Sequence, residues 1–234
     1  MSRPLHQKTI GVLGGMSNQA TAEYYRPLNA ETNRRLGNWE IAETVIIGLN
    51  FGNIEHFVRN NYWAEAGEYL AAQRAGADFL ICVSNTMHRV APRFTRDLQI
   101  PFIHIADPTG SAMRRAGVRR VGLLGTRPVM SAAFLKEYYA TRFAVEILVP
   151  DESEQLEVDR IIFDELVRGR LLDRSRQTYV RACERLRARG AEGIILGCTE
   201  IFLLLTQDDL PGLPVFDTTN LHVQAAVDFA QAEA

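Results

Sequence analysis

A strand-like apolar run that ends in a small polar residue occurs twice in this chain, 114 positions apart. "RAGADFLICVSNT", starting at Arg74, aligns with "ARGAEGIILGCTE", starting at Ala188, so that Gly76 falls on Gly190 and Ser84 on Cys198. "EYY" at Glu23–Tyr25 recurs at Glu137–Tyr139 with the same offset. "IGVLGG" from Ile10 resembles "VGLLGT" from Val121 at offset 111, and "IPFIHIAD" from Ile100 resembles "LPVFDTTN" from Leu213 at offset 113. Strand–glycine–helix patterns recur by chance in α/β proteins, but four matches in one order at nearly one offset point to two similar halves.

Each half reads as alternating strands and helices. Apolar runs of strand length lie at Thr9–Leu13, Glu43–Leu49, Phe79–Val83, Phe102–Ile105, Val121–Leu124, Ala144–Leu148, Gly193–Leu196 and Val215–Phe216. Helical patterns lie between them, among them Thr21–Leu36, Trp63–Ala75, Ala132–Tyr139, Leu156–Arg168 and Arg174–Arg189. Continuous apolar strands separated by amphipathic helices predict α/β architecture, with parallel sheets covered on both faces. Folds of this kind bind ligands beyond the carboxyl ends of the strands. The expected domains are 1–100 plus a returning 214–234, and 101–213, with the "IP" and "LP" segments as crossing points.

Composition narrows the function classes. With 47% hydrophobic and 23% charged residues among 234, the chain is of ordinary globular type. A formal net charge of -2 gives no field to draw it to nucleic acid or to a membrane surface. The arginines at Arg114, Arg115, Arg119 and Arg120 read as the solvated end of a helix, not as a nucleic-acid patch, which would carry interleaved aromatics. No apolar run is long enough to span a membrane. The lead "MSRPLHQK" lacks the apolar core of a signal peptide, so the cytoplasm is the expected compartment, with Cys82, Cys183 and Cys198 as free thiols. No cysteine pair has structural-zinc spacing. Lysine occurs only at Lys8 and Lys136, neither at a strand end, which disfavours a pyridoxal Schiff base. No cofactor and no metal are expected.

The chemistry lies at the strand ends. If the halves are related by a pseudo-two-fold axis, Ser84 and Cys198 face each other across a cleft, each where a strand gives way to a helix. Helix N-termini lower thiol pKa values and hold carboxylates. Asn85, Thr86, Thr126 and Thr199 add amide and hydroxyl groups. The Gly-rich "GGMSNQAT" after the first strand is neither a dinucleotide fingerprint nor a P-loop. Two opposed proton-transfer groups suit removal of an α-hydrogen from one face of a carbon and protonation of the other, with donors stabilising the developing charge.

"GVLGGM", "SNTMH" in place of Cys-Asn-Thr-x-His, "LLGT" and "GCTE" resemble the aspartate/glutamate racemase family, from about residue 8 to "VFDTT" near residue 219. The resemblance implies a cofactor-independent amino-acid racemase with two pseudo-symmetric Rossmann-like domains and the active site in the cleft between them. It implies Cys198 as the base for the L-enantiomer and Ser84 at the opposite position. Met16, Asn85, Thr86, Thr126 and Thr199 are implied as substrate-binding residues, and a homodimer as the assembly. Aspartate or glutamate is the substrate it points to first.

The sequence departs from the family pattern at Ser84, because a hydroxyl is too weak an acid or base to mirror a thiol without an activating neighbour. His88 is read as a hydrogen-bonding support, with relay through water as another route. A lysine found in some aspartate-acting members before the "IFDEL"-like helix is missing here, where Leu156 and Glu157 stand. Arg59 or Arg127 could replace it, although exposed surface is the default for arginine. Cys82 is read as a core thiol, Cys183 as helix packing, and Glu200 and Asp217 as either site polarisers or helix caps. Two alternatives remain: a single-thiol enantioselective decarboxylase or cis–trans isomerase of small carboxylic acids, and a non-catalytic amino-acid-binding protein.

Overall fold

The computed structural model describes residues 7–71 and 76–232. The last residues of the expected 63–75 helix, and Arg74 and Ala75 of the repeat, lie outside them. The chain runs β1 (Ile10–Gly14), α1 (Asn18–Leu36), β2 (Thr44–Gly48), α2 (Phe51–Arg59), α3 (Trp63–Ala71), β3 (Phe79–Cys82), α4 (Ala91–Phe94) and β4 (Phe102–Ile103). It continues through α5 (Ala106–Arg115), β5 (Arg120–Gly125), α6 (Arg127–Ser131), α7 (Ala133–Phe143), β6 (Glu146–Leu148), α8 (Glu152–Asp164), α9 (Asp173–Ala188), β7 (Ile194–Gly197), β8 (Val215–Asp217) and α10 (Thr218–Gln231). All eight expected strands are present.

The strands form two parallel four-stranded sheets of one topology, ordered β2-β1-β3-β4 and β6-β5-β7-β8. Burial follows position in the sheet. The central strands β1, β3 and β7 are buried at every residue, and β5 at all but its first. Of the four edge strands, β2, β4 and β6 hold no buried residue and β8 holds one, Phe216. This is why "IGVLG" and "FLIC" read as unbroken apolar runs: a central parallel strand has helices over both faces and no solvent side. Each fully buried Ile, Leu, Val or Phe in these strands contributes roughly 1.5–3 kcal/mol.

Helix ends follow local chemistry. The Ser17 side chain accepts the Ala20 N–H and starts α1 three residues before the periodic pattern. Asp151 and Glu154 form a reciprocal capping box at the start of α8. Arg114 and Arg115 end α5, where cations favour the negative end of the helix dipole.

The compact units are 1–83 with 90–104 and 222–234, and 84–89 with 105–221. These differ from the boundaries expected from sequence. The proline of each "IP" or "LP" segment leads into the fourth strand of a sheet, and the chain crosses only after that strand. Hence β4 stays with the first sheet and β8 with the second. The "EYY" match also fails in register. Tyr24 is buried on α1 while Tyr25 is 44% exposed, whereas on α7 it is Tyr139 that is buried. The inward tyrosines are thus one position out of the 114 offset.

Gly15 shows how tightly the first strand-end loop is drawn. Its φ is +81°, and a Cβ would sit 2.1 Å from the Leu49 carbonyl oxygen. Gly37 has a similar φ of +74° but nothing near a Cβ. Gly37→Ala is therefore expected to cost only backbone strain, about 1–3 kcal/mol. Gly15→Ala should cost at least about 2 kcal/mol more, because backbone must move. Urea-denaturation midpoints check this; equal losses would mean that the loop readily leaves Leu49.

Candidate active site

Register places the second unit's candidate residues on one edge of its sheet. Gly125 of β5 pairs with Gly197 of β7, and Leu196 with Asp217 of β8. Thr126, Cys198 and Thr218 are thus the first residues past three adjacent strands. The segment 84–89 belongs to the same compact unit, and two side-chain bonds tie it to that edge. Asn85 Nδ2 donates to Thr218 Oγ1 at 3.0 Å, and Thr218 Oγ1 donates to the Leu196 carbonyl at 2.7 Å. The Thr86 and Thr126 hydroxyls meet at 2.9 Å. Hydrogen bonding therefore gathers Asn85, Thr86 and Thr126 with the strand that carries Cys198. Met16 is buried in the first unit, after Gly15.

The donor inventory defines what these groups have left to offer. Thr218 accepts from Asn85 and donates to Leu196. The Thr86–Thr126 pair uses one hydroxyl proton between them, so the other can donate to a ligand. Asn85 Oδ1 is buried with no hydrogen-bond partner among the described residues, an acceptor whose desolvation a bound donor would offset. Thr199 Oγ1 donates its proton to Glu200 Oε2 at 2.8 Å and keeps only lone pairs.

The two motif positions have different surroundings. Neither motif residue leads directly into an α-helix: a 3₁₀ turn over 86–90 follows Ser84, and another over 201–203 follows Cys198. The expected helix N-terminus that would lower the thiol pKa is absent there, and the shift runs the other way. Burial, followed by the adjacent Glu200 charge, pushes the Cys198 thiol well above its ordinary value, and Asp159 adds to it. Cys198 Sγ donates to Glu200 Oε2 at 3.1 Å. Of the two acids left open by sequence, Glu200 thus touches the thiol. Asp217 caps α10 by accepting the Thr219 and Asn220 N–H groups.

Ser84 Oγ accepts the Met87 N–H at 3.4 Å. His88 does not activate it. Its Nε2 accepts the Ile105 N–H at 3.1 Å, which leaves Nδ1 protonated and donating to the Ser84 carbonyl at 2.7 Å. Both ring nitrogens serve the backbone, as the supporting role anticipated.

Both arginines suggested by sequence as replacement cations are engaged with carboxylates. Arg59 pairs with Glu55, Arg127 pairs with Glu152 at 3.4 Å, and both arginines are more than half exposed. Leu156 is 49% exposed and Glu157 pairs with Arg160. Cys82 and Cys183 are fully buried, consistent with packing. His222, unassigned from sequence, bonds Tyr24 and the Ile103 carbonyl, and burial lowers its pKa to about 4. Among the described residues no group of three His, Cys, Asp or Glu could hold a metal ion, and no helix is long and apolar enough to cross a membrane.

Sequence reasoning missed Thr218 and Asp159. Thr218 follows β8 directly, the same strand-end position as Thr126 and Cys198, and that placement was the available signal. Asp159 accepts the Arg127 N–H at 2.6 Å from the middle of α8; nothing in the sequence marks it.

The pKa direction has a direct consequence. Thiolate is the nucleophile that becomes alkylated. Iodoacetamide should modify native Cys198 more slowly than the unfolded thiol at neutral pH. Its rate should still be rising above about pH 8.5, where a free cysteine is half ionised. Peptide mass spectrometry at Cys198 reads this; a plateau below neutral pH would contradict it.

Comparison with known proteins bears on the family and the fold. A family model described as Asp/Glu/Hydantoin racemase matches residues 13–226. A candidate Asp/Glu racemase structure from Yersinia pestis is 36% identical, with a TM-score of 0.87 over 96% of this chain and 100% of that one. An aspartate racemase homologue from Pyrococcus horikoshii is 31% identical, with a TM-score of 0.82 and the same coverage. An uncharacterized protein of Pectobacterium carotovorum is 31% identical over 106 residues, 45% of this chain and 69% of that one.

Proposed function

The chain belongs to the Asp/Glu/Hydantoin racemase family, and from that premise we propose that it racemises an amino acid without a cofactor, aspartate or glutamate being the first candidates. The observation that carries this reading is the setting of Cys198. A single thiol follows a central strand, among hydroxyl and amide groups with one spare hydroxyl proton and unfilled acceptor sites.

In this reading the Cys198 thiolate takes the α-hydrogen of the L-enantiomer as a proton. The spare hydroxyl proton of the Thr86–Thr126 pair and the second Asn85 Nδ2 hydrogen meet the substrate carboxylate, where negative charge grows. Asn85 Oδ1 and the Thr199 lone pairs suit the α-ammonium. Met16 is assigned to the substrate by resemblance alone. Ser84 holds the opposite position as a hydroxyl donor without a base, so reprotonation from its side is the slow step. A homodimer belongs to the same reading.

Thermodynamics limits what Ser84 can do. The enantiomers have equal free energy in water, so kcat/KM must be the same for both in a true racemisation. A weak group at one face slows inversion in both directions and cannot make it one-way.

In D2O, an L-substrate is expected to lose its α-hydrogen by proton NMR faster than it inverts by chiral chromatography. Cys198→Ala should abolish exchange, by about 100-fold or more. Ser84→Cys should bring inversion up towards exchange. Equal rates in the native protein would remove the slow Ser84 step. A hydroxyl in place of a thiol at Ser84 favours one second reading, a single-thiol decarboxylase or isomerase that protonates a carbanion from the Cys198 side. No exchange with any amino acid, together with turnover of a substituted malonate or maleate, would establish that reading instead. Binding of an amino acid with neither exchange nor turnover would favour a non-catalytic protein.

A further inference from the structure

We propose that Glu200 is the positioning residue of the Cys198 thiol: its carboxylate accepts the S–H, holds the sulfur protonated at rest and sets the pH at which thiolate forms. The inference deepens the racemase reading and rests on it for its catalytic meaning.

The geometry is specific. One oxygen, Glu200 Oε2, receives both the Cys198 S–H at 3.1 Å and the Thr199 O–H at 2.8 Å. Cys198, Thr199 and Glu200 are 8%, 3% and 3% exposed. A helix cap would direct this carboxylate to backbone N–H groups, but the 3₁₀ turn that follows has no side-chain cap from Glu200. Two side-chain donors converging on one buried oxygen fix the direction of the S–H bond.

Charge from the other packed elements adds to the effect. Asp159 of α8 also disfavours the thiolate. Tyr179 of α9 feels the thiol electrostatically, but its hydroxyl donates to the Val158 carbonyl. The Glu200 backbone N–H pulls the other way, and no cation is among the described groups that shift this thiol. A negative neighbour in a buried setting favours the neutral acid form of a thiol. The free protein therefore holds Cys198 as a proton donor. When thiolate forms, the S–H proton passes to solvent water and the sulfur keeps the electron pair. The thiolate then takes the substrate α-proton, the carbon keeps that electron pair, and the thiol is restored. A bound α-ammonium would bring the missing positive charge and favour that ionisation.

Alkylation of Cys198 against pH tests this without any substrate. Glu200→Gln keeps an acceptor of the same shape and removes the charge. Its alkylation midpoint should fall by about one pH unit or more, and the rising limb of α-hydrogen exchange should move with it. Glu200→Asp keeps the charge one methylene further away, so its midpoint should move less while exchange slows. An unmoved midpoint in folded Glu200→Gln, or equal shifts in the two variants, would overturn the inference. The native protein provides a second readout that survives a misfolded variant. The S–H stretching band lost in Cys198→Ala should lie at lower wavenumber than that of an unbonded thiol, and a band at the unbonded position would also overturn it. If the midpoint and band behave as expected but no amino acid exchanges its α-hydrogen, Glu200 keeps its hold on the thiol and the racemase reading is what fails.

Discussion

A parallel strand covered on both faces can satisfy its backbone only through its neighbours in the sheet. β1, β3, β5 and β7 live under that constraint, and most of the structure follows from it. Their side chains must be apolar in both directions, so no catalytic group can sit within them. Each must be followed by a crossover, which returns every strand in the same direction. Polar side chains become affordable only past the carboxyl ends: Ser84, Thr126 and Cys198 appear within two residues of such an end, and Thr218 directly follows the edge strand β8. The candidate site is where the sheet stops needing apolar residues.

Within that edge, hydrogen-bond stoichiometry decides which groups can act. Thr218 uses its proton on Leu196 and its lone pair on Asn85, so it organises and has no proton left to donate. Thr199 gives its proton to Glu200. The Thr86–Thr126 pair and the unfilled Asn85 oxygen keep capacity. The difference between the two motif positions is likewise one of neighbours as much as of sulfur against oxygen. At Ser84 the His88 imidazole is bonded to backbone at both nitrogens, whereas at Cys198 a carboxylate holds the proton directly.

Much of the fold was legible because a buried strand leaves an unbroken apolar run and an amphipathic helix leaves a periodic one. What was misread has physical causes. The "LP" before β8 looked like a crossing point, since proline favours extended, linker-like backbone, but it introduces the final strand instead. "EYY" looked like a repeat, yet a one-residue change in helix phase, about 100° of rotation, turns a different tyrosine inward on α7 than on α1. The depressed thiol pKa expected from a helix dipole failed because a short 3₁₀ turn occupies the position and brings Glu200 to the sulfur.

The sequence by itself determined two α/β halves, eight strands, the residues at their ends and the family to which they belong, because these depend on local pattern and chemical type. Only the tertiary structure decided how those residues are connected: that Asn85 reaches Thr218 across 133 positions, that Thr86 meets Thr126, and that Asp159 of α8 receives the Arg127 N–H. Hydrogen bonds and charge–charge terms depend on distance in space and on burial, and neither is encoded at any single position in the chain.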